Sequence, residues 1–121
     1  MRETLQFIID LIEIIPNNSI CHIQAPSVDE SEFLEILDNS KYSWARQIIL
    51  NSENKNKLKN LLLKIELEDQ FQTVTIEKEN EKLFEGYDGM EIGEISKNLI
   101  IPEWFKEKYI ETEYCILSQN W

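Results

Sequence analysis

The chain has 121 residues, of which 42% are hydrophobic, so residues 1–121 are expected to form a single domain. It carries 23 acidic and 12 basic side chains, which gives a formal net charge of −11. This charge excludes nucleic acid and anionic membranes as natural partners, because both attract clustered lysine and arginine, and it favours a basic protein. Two cysteines cannot form a disulfide framework, and no signal peptide is recognisable, so a cytoplasmic protein is expected.

The charge is distributed unevenly along the chain. Residues 1–38 contain eight acids and one base, residues 39–65 six bases and one acid, and residues 66–121 fourteen acids and five bases. The basic middle segment is therefore expected to neutralise part of the acid at both ends.

The first half of the chain is predicted to be mainly helical. Apolar residues recur at helical spacing over residues 3–15, where Pro16 ends the predicted helix, and a short strand is predicted over residues 19–24. Further helices are predicted over residues 28–38, 41–51 and 55–67. The helix over residues 41–51 is expected to bury a stripe formed by Trp44, Ala45, Ile48 and Ile49.

The second half is predicted to be rich in strands. Residues 71–78 and 82–87 are expected to form a hairpin, residues 92–96 a third strand and residues 113–118 a last strand, with a short helix over residues 103–109 after Pro102. We therefore expect an α+β fold in which about four N-terminal helices (residues 1–67) pack on a small, mostly antiparallel C-terminal sheet (residues 70–121) with one further short helix.

No catalytic or metal-binding motif is present. His22 is the only histidine, and its neighbour Cys21 is expected on the opposite face of a strand, so the two are poorly placed to act together. Cys21 and Cys115 are expected to be buried free thiols. Without ligand spacing or a phosphate-binding loop, we predict no metal, no cofactor and no enzymatic activity.

One acidic stretch is predicted to bind a partner. Residues 77–94 contain seven acids against two lysines, with Phe84, Tyr87 and Met90 interleaved, so that aromatics would anchor a basic partner and carboxylates would steer it. The expected contact residues are Glu77, Glu79, Glu81, Glu85, Tyr87, Asp88, Glu91 and Glu94. A solvated hairpin whose aromatics face the core is the alternative, and the acidic segment 29–38 is a second candidate surface.

The chain is small, acidic and poor in histidine. It combines the acidic stretch from Glu77 to Glu94 with an aromatic segment that follows it, Ile101-Pro102-Glu103-Trp104-Phe105. In these features the chain resembles the immunity proteins of bacterial toxin–immunity pairs. The resemblance implies a tight one-to-one complex with a basic toxin, often a nuclease, whose active site or substrate groove the chain would block.

Two other functions remain open from the sequence. The nearly all-round apolar segment 5–15 indicates a regulatory or scaffold domain that self-associates, with a homodimer through these residues. A small enzyme that uses two carboxylates in a deep pocket is the third hypothesis.

Overall fold

Helices and strands are interleaved along the chain in the computed structural model, which describes residues 3–65, 70–90 and 92–118. The described elements are α1 (Glu3–Ile14), β1 (Ser19–Gln24), α2 (Ser31–Glu35), β2 (Asp38–Asn39), β3 (Arg46–Leu50), α3 (Ser52–Ile65), β4 (Thr73–Lys78), β5 (Glu81–Tyr87), β6 (Ile92–Ser96), α4 (Glu103–Phe105), a π-helix (Lys106–Ile110) that continues α4, and β7 (Ile116–Ser118). The strands form one sheet in the order β2-β3-β1-β4-β5-β6-β7. Only β6 and β7 are parallel, so the fold is α+β with a mixed, mostly antiparallel sheet.

The order of these elements corrects the prediction of a helical half (residues 1–67) followed by a β-rich half (residues 70–121). The strands β1, β2 and β3 all precede α3, and the helices are interleaved with them. The predicted helix over residues 41–51 is wrong, because Arg46–Leu50 forms β3, which pairs with β1 on one side and β2 on the other. The predicted helix over residues 28–38 is shorter than expected and gives way to β2 at Asp38.

The remaining predicted elements are present. The hairpin is formed by β4 and β5, and the third and last strands are β6 and β7. The helix predicted over residues 55–67 is α3, which begins earlier, at Ser52, while residues 66 and 67 lie outside the described part. The helix predicted over residues 103–109 is divided between α4 and the π-helix.

The described helices contribute to one core, on the side of the sheet that we call the helical face. Phe7 of α1 lies beside Phe84 of β5 and Phe105 of α4, with ring centroids 5.8 and 6.1 Å apart. Phe33 of α2 lies 5.6 Å from Phe71. The same core contains Leu58 and Leu62 of α3 and the strand residues Cys21, Ile23, Ile48, Val74 and Ile76. Because side chains alternate along a strand, the intervening residues lie on the opposite, outer face of the sheet.

The apolar surface of α1 is buried within the fold. Leu5, Phe7, Ile8, Leu11 and Ile12 are all buried. The feature that suggested self-association through residues 5–15 therefore packs against the sheet and the other helices. Among the helices of the described residues, none combines the length and the apolar character that crossing a membrane requires.

Candidate functional site

Three of the predicted contact residues lie together on the outer face. Glu85 of β5 is directly opposite Glu94 of β6, and Tyr87 lies two residues farther along β5 on the same side. The hydroxyl of Tyr87 donates a hydrogen bond of 3.3 Å to Oε1 of Glu94. The alternation of the hairpin therefore brings two carboxylates and one phenol to a single surface.

The pairing of Glu85 with Glu94 is electrostatically unfavourable, because like charges directly opposite each other destabilise a sheet. Lys82 offsets part of this repulsion, since its Nζ lies 2.7 Å from Oε2 of Glu85. Burial raises the pKa of Tyr87, and the negative charges of Glu94, Glu85 and Asp88 raise it further. The surface around Tyr87 thus has a negative potential that a cation would relieve.

The turns on either side of β5 carry two further predicted residues. Glu79, in the hairpin turn, and Asp88, in the turn after β5, are both exposed, with positive φ values of 52° and 56°. We call Glu79, Glu85, Tyr87, Asp88 and Glu94 the acidic face. Glu81 is also exposed, but its Oε1 accepts a hydrogen bond of 3.3 Å from the side-chain amide of Asn98. Glu91 lies outside the described residues.

Glu77 differs from the other predicted contact residues, because it is buried and has partners within the chain. Its exposed fraction is 6%. Nζ of Lys41 lies 2.7 Å from its Oε2, and the hydroxyl of Tyr42 donates to its Oε1. Burial alone would raise the pKa of Glu77, but the hydrogen bonds from Lys41 and Tyr42 and the charges of Lys41 and His22 outweigh it, so the pKa is lowered.

His22 lies beside Glu77 on the outer face, whereas Cys21 faces the core, as predicted. Nδ1 of His22 is 2.7 Å from Oγ of Ser40, and the ring of Tyr42 packs edge-on at 4.8 Å. Nε2 is buried and has no hydrogen-bond partner among the described residues, with Oε1 of Glu77 3.7 Å away. Burial lowers the pKa of His22, the charge of Glu77 raises it and that of Lys41 lowers it, and the net shift is downward.

The loop between β2 and β3 supplies side chains that the sequence analysis missed. Lys41 and Tyr42 reach Glu77, and the indole of Trp44 stacks on Tyr42 with ring centroids 5.1 Å apart. Trp44 remains 39% exposed. The sequence did not reveal this loop because the apolar residues within 41–51 have helical spacing. That spacing placed Trp44 in a buried helical stripe instead of on a loop.

A cleft of about 240 Å³ opens between this loop and the hairpin turn. Its lining residues come from β1, the loop, β3, β4 and the turn: Ile20, His22, Lys41, Gln47, Glu77, Glu79 and Asn80. The cleft therefore joins the buried pair His22–Glu77 to Glu79 of the acidic face.

The geometry around His22 does not form a nucleophile–base–acid relay. Oγ of Ser40, which contacts His22, also accepts a hydrogen bond of 3.0 Å from the backbone N–H of Tyr42. The carboxylate of Glu77 lies beyond hydrogen-bond distance of Nε2 and is held by Lys41 and Tyr42 instead. The arrangement of Ser40, His22 and Glu77 is therefore not that of a catalytic relay.

Thiol and metal chemistry find no support in the described part of the chain. Cys21 and Cys115 are buried free thiols, and burial raises the pKa of each to about 12, which disfavours the reactive thiolate. Residues 3–65, 70–90 and 92–118 contain no group of three or more metal-ligating side chains that could hold an ion.

Comparison of the chain with models of protein families, with curated proteins and with solved structures found no match in any of the three.

Proposed function

We propose that this chain is a non-catalytic binding protein whose acidic face receives a basic protein. The observation that carries the proposal is the placement of Glu85 opposite Glu94 on the outer face, beside Tyr87. The part of this repulsion that Lys82 does not offset costs stability in the free protein, and a lysine or arginine of a partner placed beside the two carboxylates lowers it. The face thus gains more from a cation than isolated surface carboxylates would.

The charge of the whole chain supports the same proposal. A net charge of −11 attracts a basic partner over a distance, and electrostatic attraction raises association rates by roughly 10- to 1,000-fold at low ionic strength. Tyr87 on the acidic face and Trp44 on the neighbouring loop supply aromatic side chains of the kind that contribute most to binding energy.

The most specific form of the proposal is an immunity protein that neutralises a cognate basic toxin, such as a nuclease, in the bacterial cytoplasm. A nuclease binds phosphates with lysine and arginine, and carboxylates can occupy the same positions. The competing function, a self-associating regulatory or scaffold domain, lacks an equivalent observation, because the apolar residues of α1 that motivated it are buried within the chain.

The test is a binding experiment with the product of the gene adjacent to the one that encodes this chain. We expect a one-to-one complex whose association rate falls at least about tenfold between low ionic strength and physiological ionic strength, where the screening length is near 8 Å. Absence of a complex with a basic neighbour, or an association rate that is indifferent to salt, would contradict the proposal.

A further inference from the structure

The cleft beside the acidic face has the composition of a pocket for a cationic side chain. It lies between the loop that carries Lys41 and the turn that carries Glu79, with His22 and Glu77 at its base. With His22 neutral, the charges lining it are those of Glu77, Glu79 and Lys41, so the cleft is negative by one charge. A cation that enters it is attracted and would also be held by uncharged groups, namely the amides of Gln47 and Asn80.

Glu77 retains unused hydrogen-bonding capacity although it is buried. An ionised carboxylate offers about four lone-pair positions, of which the bonds from Lys41 and Tyr42 occupy two. Lys41 is 53% exposed at its side chain, so it can move toward solvent without losing its hydration. A second cation can therefore share Glu77 with Lys41 or replace it.

His22 supplies the independent observation that points to a ligand. The residue is only 1% exposed, and its Nε2 has no hydrogen-bond partner among the described residues. A buried polar atom without a hydrogen-bond partner is rare in folded proteins, and a ligand in the cleft can supply the missing partner. Oγ of Ser40 can accept a hydrogen bond from Nδ1–H, and in that tautomer the lone pair of Nε2 is free to accept a hydrogen bond from a ligand.

We propose that this cleft receives an arginine side chain of the basic partner, with Glu77 and Glu79 binding the guanidinium and Nε2 of His22 accepting one of its N–H groups. The inference rests on the proposed function and specifies which side chain of the partner is recognised. Arginine fits better than lysine because its planar guanidinium presents five donors in a fixed fork to several separate acceptors. The lysine ammonium is more strongly hydrated and loses more on entering a cleft of this kind.

Binding should change the tautomer of His22. In the free protein the carboxylate of Glu77 favours a proton on Nε2, with the hydroxyl of Ser40 donating to Nδ1. A guanidinium reverses this preference, so that the proton leaves Nε2, Nδ1 gains one, and Nδ1 donates to Ser40. The ring nitrogen resonances of His22 therefore report occupancy of the cleft and are not moved by binding elsewhere on the acidic face.

The test uses hexaarginine and hexalysine peptides as probes on the full chain at low ionic strength. We expect hexaarginine to bind at least about fivefold more tightly than hexalysine and to move the ring nitrogen signals of His22 to the Nδ1–H pattern. The preference should disappear in the variant Glu79→Gln and persist in Glu35→Gln, which removes the same charge from an exposed position of α2. The His22 signals are measured on the unmodified chain, so they test the proposal independently of any effect of the variants on folding.

The contrary outcomes separate this inference from the proposed function. Equal affinities for the two peptides, or a preference that survives in Glu79→Gln with unmoved His22 signals, would overturn the arginine cleft. If binding under those conditions still weakened in Glu85→Gln/Glu94→Gln, the acidic face would stand. Failure of both peptides to bind at low ionic strength would overturn the cleft and the acidic face together.

Discussion

Glu79 occupies a backbone conformation that suits other residues better. The loop between β4 and β5 has two residues, Glu79 and Asn80, with φ values of 52° and 67°. These values belong to the type I′ turn that favours asparagine and glycine. Asparagine tolerates the left-handed region because of its short polar side chain, whereas glutamate has no such advantage. A residue that is unfavourable for the turn but supplies a carboxylate to the cleft is consistent with a role in binding.

The substitution Glu79→Asn separates these two roles. It should raise the free energy of unfolding by up to about 1 kcal/mol, because asparagine avoids part of the roughly 1–2 kcal/mol that the left-handed conformation costs other residues, while it lowers the affinity for hexaarginine. Denaturant unfolding and peptide titration measure the two effects. Glu113→Asn is the control, since it replaces another exposed glutamate of positive φ (62°) that lies outside the cleft, so it should raise stability without a comparable loss of affinity. A Glu79→Asn variant that is less stable than the parent would refute this interpretation of the turn.

The sequence was sufficient to predict part of the acidic face, but not the burial of Glu77 beside it. Alternation along a hairpin is sufficient to place Glu85 and Tyr87 on one face of β5. The burial of Glu77 could not be inferred, because its partners Lys41 and Tyr42 are 36 and 35 residues away, in a segment whose apolar spacing indicates a helix. Local periodicity carries no information about a contact at that distance.

The clearest error of the sequence-based prediction is β3, which was expected to be part of a helix. Ile48 and Leu50 alternate toward the core, but Trp44, Ala45, Ile48 and Ile49 also match a helical stripe. For such a short apolar segment, periodicity alone cannot distinguish a strand from a helix. The segment becomes a strand because its backbone pairs with β1 and β2, and this pairing exists only in the folded sheet.

The contact between α1 and the π-helix joins the two ends of the chain. Oδ2 of Asp10 on α1 accepts hydrogen bonds from the hydroxyl of Tyr109 at 2.5 Å and from Nζ of Lys108 at 2.8 Å, while its Oδ1 accepts from the amide of Gln6 at 2.9 Å. Tyr109 is buried, whereas Lys108 is 47% exposed at its side chain. The burial of Tyr109 makes its bond the more consequential one, because a buried hydroxyl that loses its acceptor costs more than a half-exposed ion pair contributes.

We therefore expect Asp10→Ala to destabilise the fold more than Lys108→Ala. The first change leaves the buried hydroxyl of Tyr109 without an acceptor, at about 1–3 kcal/mol. The second removes a half-exposed ion pair, which contributes about 0–1 kcal/mol. Urea unfolding of both variants tests this order. Equal losses would show that the ion pair, and not the buried hydrogen bond, stabilises this contact.

At the scale of the whole molecule, the basic middle segment is bound to the acidic N-terminal segment. Nζ of Lys59 contacts Glu13, and Nζ of Lys64 lies 3.1 Å from Oε2 of Glu32. These pairs, on the helical side of the molecule, neutralise some of the acid within the chain. The prediction of an α+β class with a mostly antiparallel sheet is correct, whereas the order of helices before strands is wrong, since three strands precede α3.

The stability of the whole chain should fall in two stages as the pH is lowered. The pKa of His22 in the folded state lies below its usual 6.5, so the unfolded chain binds a proton first and stability decreases as the pH falls below that value. The folded pKa values of Asp10 and Glu77 lie below their usual 3.8 and 4.5, so their contribution is present above those values and is lost as the pH falls through the folded values.

Free energies of unfolding measured from neutral to acidic pH test whether stability decreases in these two stages. His22 is the only histidine, so the variant His22→Gln should lack the first stage and retain the second. A parent chain whose stability is constant between neutral pH and the carboxyl range would show that His22 is not buried in its neutral form.

Two matched double variants test whether the acidic face binds the basic partner, with the association rate as the measured quantity. Glu85→Gln/Glu94→Gln removes two charges from the acidic face, and Glu107→Gln/Glu111→Gln removes two exposed charges, one in the first turn of the π-helix and one directly after its last residue. We expect the first variant to slow association at least about tenfold at low ionic strength and the second to slow it less than about threefold. Equal slowing in both variants, or no slowing in the first, would contradict the assignment of the acidic face as the binding surface.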